Sequence, residues 1–94
     1  MSDAYQKLKK LIDFPATIDF RIIVEASAAD ALYQIENVCN SIEQGSFKKI
    51  TAPARKSRNG QYISYTVPVR IKSPAHLQSV YEKVGALNCV KHII

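Results

Sequence analysis

The clearest regularity in the chain is an alternation from Thr17 to Ala26, with Ile18, Phe20, Ile22, Val24 and Ala26 in one phase and Thr17, Asp19, Arg21, Ile23 and Glu25 in the other. A period of two places these sets on opposite faces of a β-strand. Before it, Tyr5, Leu8, Leu11 and Ile12 recur at helical spacing while Lys7, Lys9 and Lys10 lie mostly off that face, which predicts a short amphipathic helix from Ala4 to Ile12 ended by Phe14-Pro15. After the strand, Ser27 and Asp30 resemble a capping box. Leu32, Ile35, Cys39 and Ile42 then continue a helix to about Ile42, which Gly45 stops.

The second half repeats the cycle. Phe47 to Arg55 reads as a weak strand, apolar at Ile50, Ala52 and Ala54, and Pro53 consigns it to a sheet edge. Ser57-Arg58-Asn59-Gly60 is a turn, and alternation returns from Gln61 to Lys72 with Ile63, Tyr65, Val67, Val69 and Ile71 facing one way, so the pair is a hairpin. Ser73-Pro74 is a helix start, because serine caps free amides and proline loses nothing at the first helical position. Leu77, Val80, Tyr81 and Val84 form the buried stripe of that helix, Gly85 closes it, and Cys89 to Ile94 is a last short strand with Val90, His92 and Ile94 in phase.

The sum is an α+β chain: an N-terminal helical extension over residues 1–14, then a βαββαβ core over residues 17–94, together one domain. Two helices cover one face of an antiparallel sheet, and right-handed crossovers set the strand order 4-1-3-2 of a ferredoxin-like two-layer sandwich. Pro68 falls inside a central strand of that order, where a bulge or a missing ladder bond is expected.

Composition narrows the class without changing the fold. With 94 residues, 47% hydrophobic and 22% charged, the chain is of ordinary globular make-up. Its apolar runs reach only three residues, as at Ile22-Ile23-Val24, and no signal-peptide pattern opens it, so a cytoplasmic protein without a membrane role is expected. The two cysteines, Cys39 and Cys89, form no metal or redox motif and are expected not to pair, one lying beneath the first core helix and the other on the opposite sheet face.

The segment pattern of Phe14-Pro15, Phe20-Arg21-Ile22-Ile23-Val24, Ser57-Arg58-Asn59-Gly60-Gln61-Tyr62-Ile63-Ser64, Tyr81-Glu82-Lys83-Val84-Gly85 and Val90-Lys91-His92-Ile93-Ile94 resembles the YbeD-like family of small bacterial proteins over nearly the whole chain. The resemblance implies a ferredoxin-like domain similar in shape to ACT-type regulatory domains, in a family without an agreed activity. It carries over no catalytic residue and no cofactor.

Chemistry is sparse. The loop Glu25-Ala26-Ser27-Ala28-Ala29-Asp30 has the wrong charge for an anion cradle, no cysteine for a metal and no glycine for a ligand to approach the backbone. His76 reads as an exposed helix-start residue, and His92 as half-buried at the sheet rim. Cys39 reads as a buried structural thiol, and Cys89 shares a phase with Lys91 on the uncovered side of the sheet. Asp19 and Glu25 lie about 20 Å apart along the strand, too far to share one substrate. With Arg21, Arg70 and Lys91 they read as an ion-pair ladder on a solvated face.

Charge is distributed unevenly. Residues 1–43 carry 4 basic and 7 acidic side chains, whereas residues 44–81 carry 7 basic and none acidic. Lys48, Lys49, Arg55, Lys56, Arg58, Arg70 and Lys72 are therefore the candidate anion or nucleic-acid contacts, weighed against simple protection of a sheet edge by charge. Tyr62 fits one stacking position of an RNA-binding sheet, but Gly60 and Asp19 stand where others would be needed. The reading that results is a non-enzymatic cytosolic binding or regulatory module acting through protein contacts, including those of a homodimer, with a nucleic-acid-associated protein using the basic hairpin as the alternative.

Overall fold

β1 (Ala16–Glu25) runs through the middle of the sheet, flanked by β3 (Tyr62–Ile71) on one side and β4 (Val90–Ile93) on the other, with β2 (Arg55–Lys56) outside β3. The computed structural model describes residues 13–94, so the helix expected from Ala4 to Ile12 lies outside the described residues. α1 (Ala31–Ile42) and α2 (Pro74–Gly85) complete the order βαββαβ. The order β2-β3-β1-β4 is the expected 4-1-3-2 read from the other edge, and every pairing is antiparallel.

The inward phase of β1 is as read: Ile18, Phe20, Ile22 and Val24 are buried and join Val67, Val69 and Ile71 of β3. Ile35 and Cys39 of α1, with Leu77, Val80, Tyr81 and Val84 of α2, close over them. Phe20 meets Tyr81 edge-to-face, with ring centroids 5.4 Å apart and planes at 73°.

α1 begins at Ala31, not in a capping box. Asp30 at its N-cap makes no side-chain cap bond, and the helix entrance is instead a turn in which the Ala31 N–H donates to the Ala28 carbonyl at 3.1 Å. α2 starts as expected, Ser73 Oγ accepting from the His76 N–H at 3.2 Å with Pro74 in the first turn.

The expected strand from Phe47 to Arg55 is broken. Phe47 bridges Val69 and Arg55 pairs Ser64, so eight steps of edge chain run beside five steps of β3 and three residues must loop out. Only Arg55 and Lys56 return to the ladder. The hairpin that follows is closed by Ser57 N–H to Tyr62 O at 2.8 Å, with Gly60 supplying the positive φ of 74°.

Pro68 causes no bulge in the pairing of β1 and β3, whose register is continuous from Ala16↔Ile71 to Glu25↔Tyr62. Ala26 N–H donates to Gln61 O, and counting alternate pairs along that register puts Asp19↔Pro68 at a non-hydrogen-bonded position. The missing N–H of Pro68 thus faces away from β1. Its carbonyl accepts from Lys48 N–H at 2.9 Å on the edge side.

The bulge lies in β4 instead. Ile22 pairs Ile93 and Ile23 pairs His92, but Val24 pairs Val90, leaving Lys91 as the extra residue. The phase of β4 therefore slips. His92 is exposed on the outer face beside Ile23 rather than half-buried with Val90.

Candidate open-face cleft

Both helices pack on one side of the sheet, and the outward phase of β1 and β3 is left open by every described element. Ile23 stands out there as an apolar residue among Thr17, Asp19, Arg21 and Glu25, and it is half-buried. Register places Arg55 opposite Ser64, Ser64 opposite Ile23 and Ile23 opposite His92, so these four form one row across β2, β3, β1 and β4. Three inter-strand spacings of about 4.8 Å make that row about 14 Å long.

A cleft of about 370 Å³ lies along the row, lined by Ile23, Ser64, Tyr62, Arg55, Lys56, Ser57, Lys91 and His92. Its floor is apolar and its ends are cationic. Arg55 and Lys56 stand at the β2 end, while Lys91 and the imidazole of His92 stand at the β4 end. None of Arg55, Lys56 and Lys91 has a carboxylate within 4.0 Å among the described residues. The outward bulge at Lys91 adds a third cation where strict pairing would have placed only one residue.

The basic residues singled out from the sequence divide between two hollows. Arg55 and Lys56 line the cleft, and Arg58 lies in the neighbouring turn. Lys48, Arg70 and Lys72 line a separate hollow of about 270 Å³ with Glu43, Gln44, Gly45 and Ser46. Lys72 Nζ lies 2.8 Å from Glu43 Oε1, and this contact holds the Glu43 carboxyl below its usual range. Lys49 is exposed in the loop and lines neither hollow. Charge count alone cannot separate these groups, because the split depends on where the edge chain leaves β3.

The ion-pair ladder expected on the open face is absent among the described residues. Asp19, Arg21 and Glu25 face Pro68, Thr66 and Tyr62 across β3, so no opposite charge stands directly opposite any of them. Glu25 instead borders two other hollows, of about 310 and 470 Å³, that hold no lysine or arginine.

His76 is buried rather than exposed. Its Nδ1 accepts from the Lys72 N–H at 3.0 Å, and its Nε2 is buried without a hydrogen-bond partner. Burial pushes its pKa down, the Lys72 charge adds to that effect, and the Glu43 charge opposes it. The ring folds back over the helix start, a use of helix-start histidine that spacing does not reveal.

Cys39 is buried as expected, and burial pushes its thiol up to about 11. Cys89 is also buried, contrary to its expected place on the open side, and its Sγ donates to Gln34 Oε1 at 3.7 Å. Burial raises the Cys89 pKa, with Asp30 and Glu25 adding to the rise and a backbone hydrogen bond opposing it. Both thiols are free. They remain unpaired although they share the core side of the sheet.

Among the described residues no three His, Cys, Asp or Glu side chains come together as metal ligands, and no helix is long and apolar enough to cross a membrane.

Comparison with known proteins adds a family and no chemistry. Residues 9–94 match the family described as "Protein of unknown function (DUF493)". A UPF0250 protein of Shewanella piezotolerans is 29% identical over 90 residues, covering 94% of this chain and 96% of the relative. One of Idiomarina loihiensis is 27% identical over 89 residues with the same coverage, and one of Shewanella amazonensis is 24% identical over 83 residues, covering 88% and 90%.

Proposed function

The chain belongs to the DUF493 family, the YbeD-like family that its sequence resembles, and from that premise we propose that it is a non-enzymatic cytosolic binding module which takes a protein partner on the open face of its sheet. The observation that carries this reading is the half-buried apolar residue Ile23, with Tyr62 and Ser64 beside it, on a face that no described element covers. A partner would gain the apolar area that the second helical layer gives the other face.

The sheet edges are poorer docking places. β2 is two residues long and wholly charged, and β4 carries a bulge at Lys91, both devices that discourage strand addition. Contacts through the face rather than the edge therefore fit the molecule best.

Capture of partners from a nuclease-treated cell lysate tests the reading. A protein should be retained by the native chain and lost with Ile23→Asp, whose far-ultraviolet spectrum should remain native. Retention that vanishes with nuclease, or that ignores Ile23→Asp, would refute it.

A further inference from the structure

The same face carries more detail than an apolar patch, because its cations stand at the two ends of the Arg55–Ser64–Ile23–His92 row and its apolar floor lies between them. In an extended chain, alternate side chains point the same way and each residue advances about 3.3 Å, so positions i, i+2 and i+4 lie on one side with about 13 Å between the outer two. That is the length of the row. Resting on the protein-partner reading above, we propose that the cleft binds an extended acidic segment with a carboxylate at i, an apolar side chain at i+2 and a carboxylate at i+4.

One carboxylate meets Arg55 and Lys56 on β2. The second meets Lys91 and His92 on β4. The apolar side chain between them rests on Ile23 and against the Tyr62 ring. Arginine offers a planar fork suited to a carboxylate, and charge-assisted contacts of this kind are about twice as strong as neutral ones.

A phosphate backbone fits less well. Single-stranded nucleic acid asks for a continuous cationic track with successive stacking aromatics. Here the cleft's own cations stand at the two ends of one row, and Arg21, the next cation along the outward phase of β1, is followed by Asp19. Asp19 and Glu25 stand on the same face of β1, with Glu25 directly opposite Tyr62, and the second basic hollow is partly neutralised by Glu43. A local site with acids beyond it excludes a long polyanion and accepts a short motif.

The test uses a fluorescein-labelled peptide, Gly-Ser-Glu-Ser-Phe-Ser-Glu-Ser-Gly, and fluorescence anisotropy. Comparison probes carry glutamine for both glutamates, serine for the phenylalanine, or the second glutamate moved one place, and the last probe is a single-stranded oligonucleotide. Native protein should bind the parent peptide saturably and each altered peptide about tenfold or more weakly, the step expected for losing one charge-assisted or anchoring contact. The Arg55→Glu, Lys91→Glu variant should lose the parent peptide and bind the peptide in which lysine replaces both glutamates. Both positions are exposed, so its melting should stay near that of the native protein.

Equal binding of the glutamine peptide, no binding of the parent peptide, or an oligonucleotide that binds more tightly and displaces it would each overturn the inference. A lysate partner lost with Ile23→Asp but kept by Arg55→Glu, Lys91→Glu would overturn the acidic motif alone and leave the protein-contact reading standing.

Discussion

One strand separates the two faces of this molecule, and β1 treats them by opposite rules. Ile18, Phe20, Ile22 and Val24 on the covered side are at most 7% exposed, and the helices above them dictate both apolarity and size. Thr17, Asp19, Arg21, Ile23 and Glu25 on the open side answer to no packed neighbour layer among the described residues. The covered face therefore explains the fold, and departures from solvent-friendly chemistry on the open face, Ile23 above all, are where function has room to act.

Substitution on the covered side should bring the largest loss. Phe20→Ala removes a fully buried ring and its edge contact with Tyr81, and a cost of about 3 to 5 kcal/mol in chemical denaturation is expected. A loss below about 1 kcal/mol would mean that the core tolerates cavities and that the contrast between the faces is weak.

A smaller, pH-dependent loss should come from His76 on the same side. Its folded pKa lies below the ordinary value of 6.5, mainly through burial, so its contribution is intact above that value. As pH falls below 6.5 the unfolded chain takes up the proton first, and stability declines until the folded pKa is passed. Thermal melting between about pH 7 and pH 5 should show the decline, and His76→Asn should flatten it because asparagine can still accept the Lys72 N–H without titrating. The Glu43–Lys72 pair acts at lower pH, since the lowered Glu43 pKa places its contribution above 4.5 and its loss beneath that. An unchanged slope in His76→Asn would remove the histidine from the account.

The same contrast explains what could be read from residues alone. Alternation in β1 and β3 is legible because one phase is packed, so a slip by one residue would expose every core side chain. β4 is too short to enforce its own phase, and the bulge at Lys91 reverses the sense of His92. His76 misleads because its partner is a backbone N–H four residues back, which no side-chain pattern records. In the cleft, Arg55 and Lys56 are visible as charge and Tyr62 as an outward aromatic. Lys91 and His92 join them only through tertiary pairing with a strand almost seventy positions earlier. The available signal was Ile23, the apolar residue in a polar phase.

On the open side, Ile23→Ala should cost only about 1 kcal/mol, near half the value of burying such a side chain completely. Measured beside Phe20→Ala, it turns the comparison into a ratio. A loss rivalling that of Phe20 would show that Ile23 is covered in the free protein and that the face is not open to a partner.

The smallest effect on stability is expected from Arg55→Glu, Lys56→Glu and Arg58→Glu together, and it separates two uses of charge at the same place. All three residues are exposed and none has an ion pair among the described residues, so each change should stay within about 0.5 kcal/mol and the melting temperature should barely move. Protection of a sheet edge needs charge of either sign, because a buried strand-to-strand contact penalises glutamate as it does lysine. The reversed chain should accordingly show no new self-association in sedimentation, even though its formal charge passes from +5 to −1. Recognition of carboxylates needs the positive sign, so binding of the acidic peptide should disappear in the same sample. If peptide binding survives reversal, Arg55 and Lys56 guard the edge and nothing more; if self-association appears while the fold is kept, the positive sign itself was the guard.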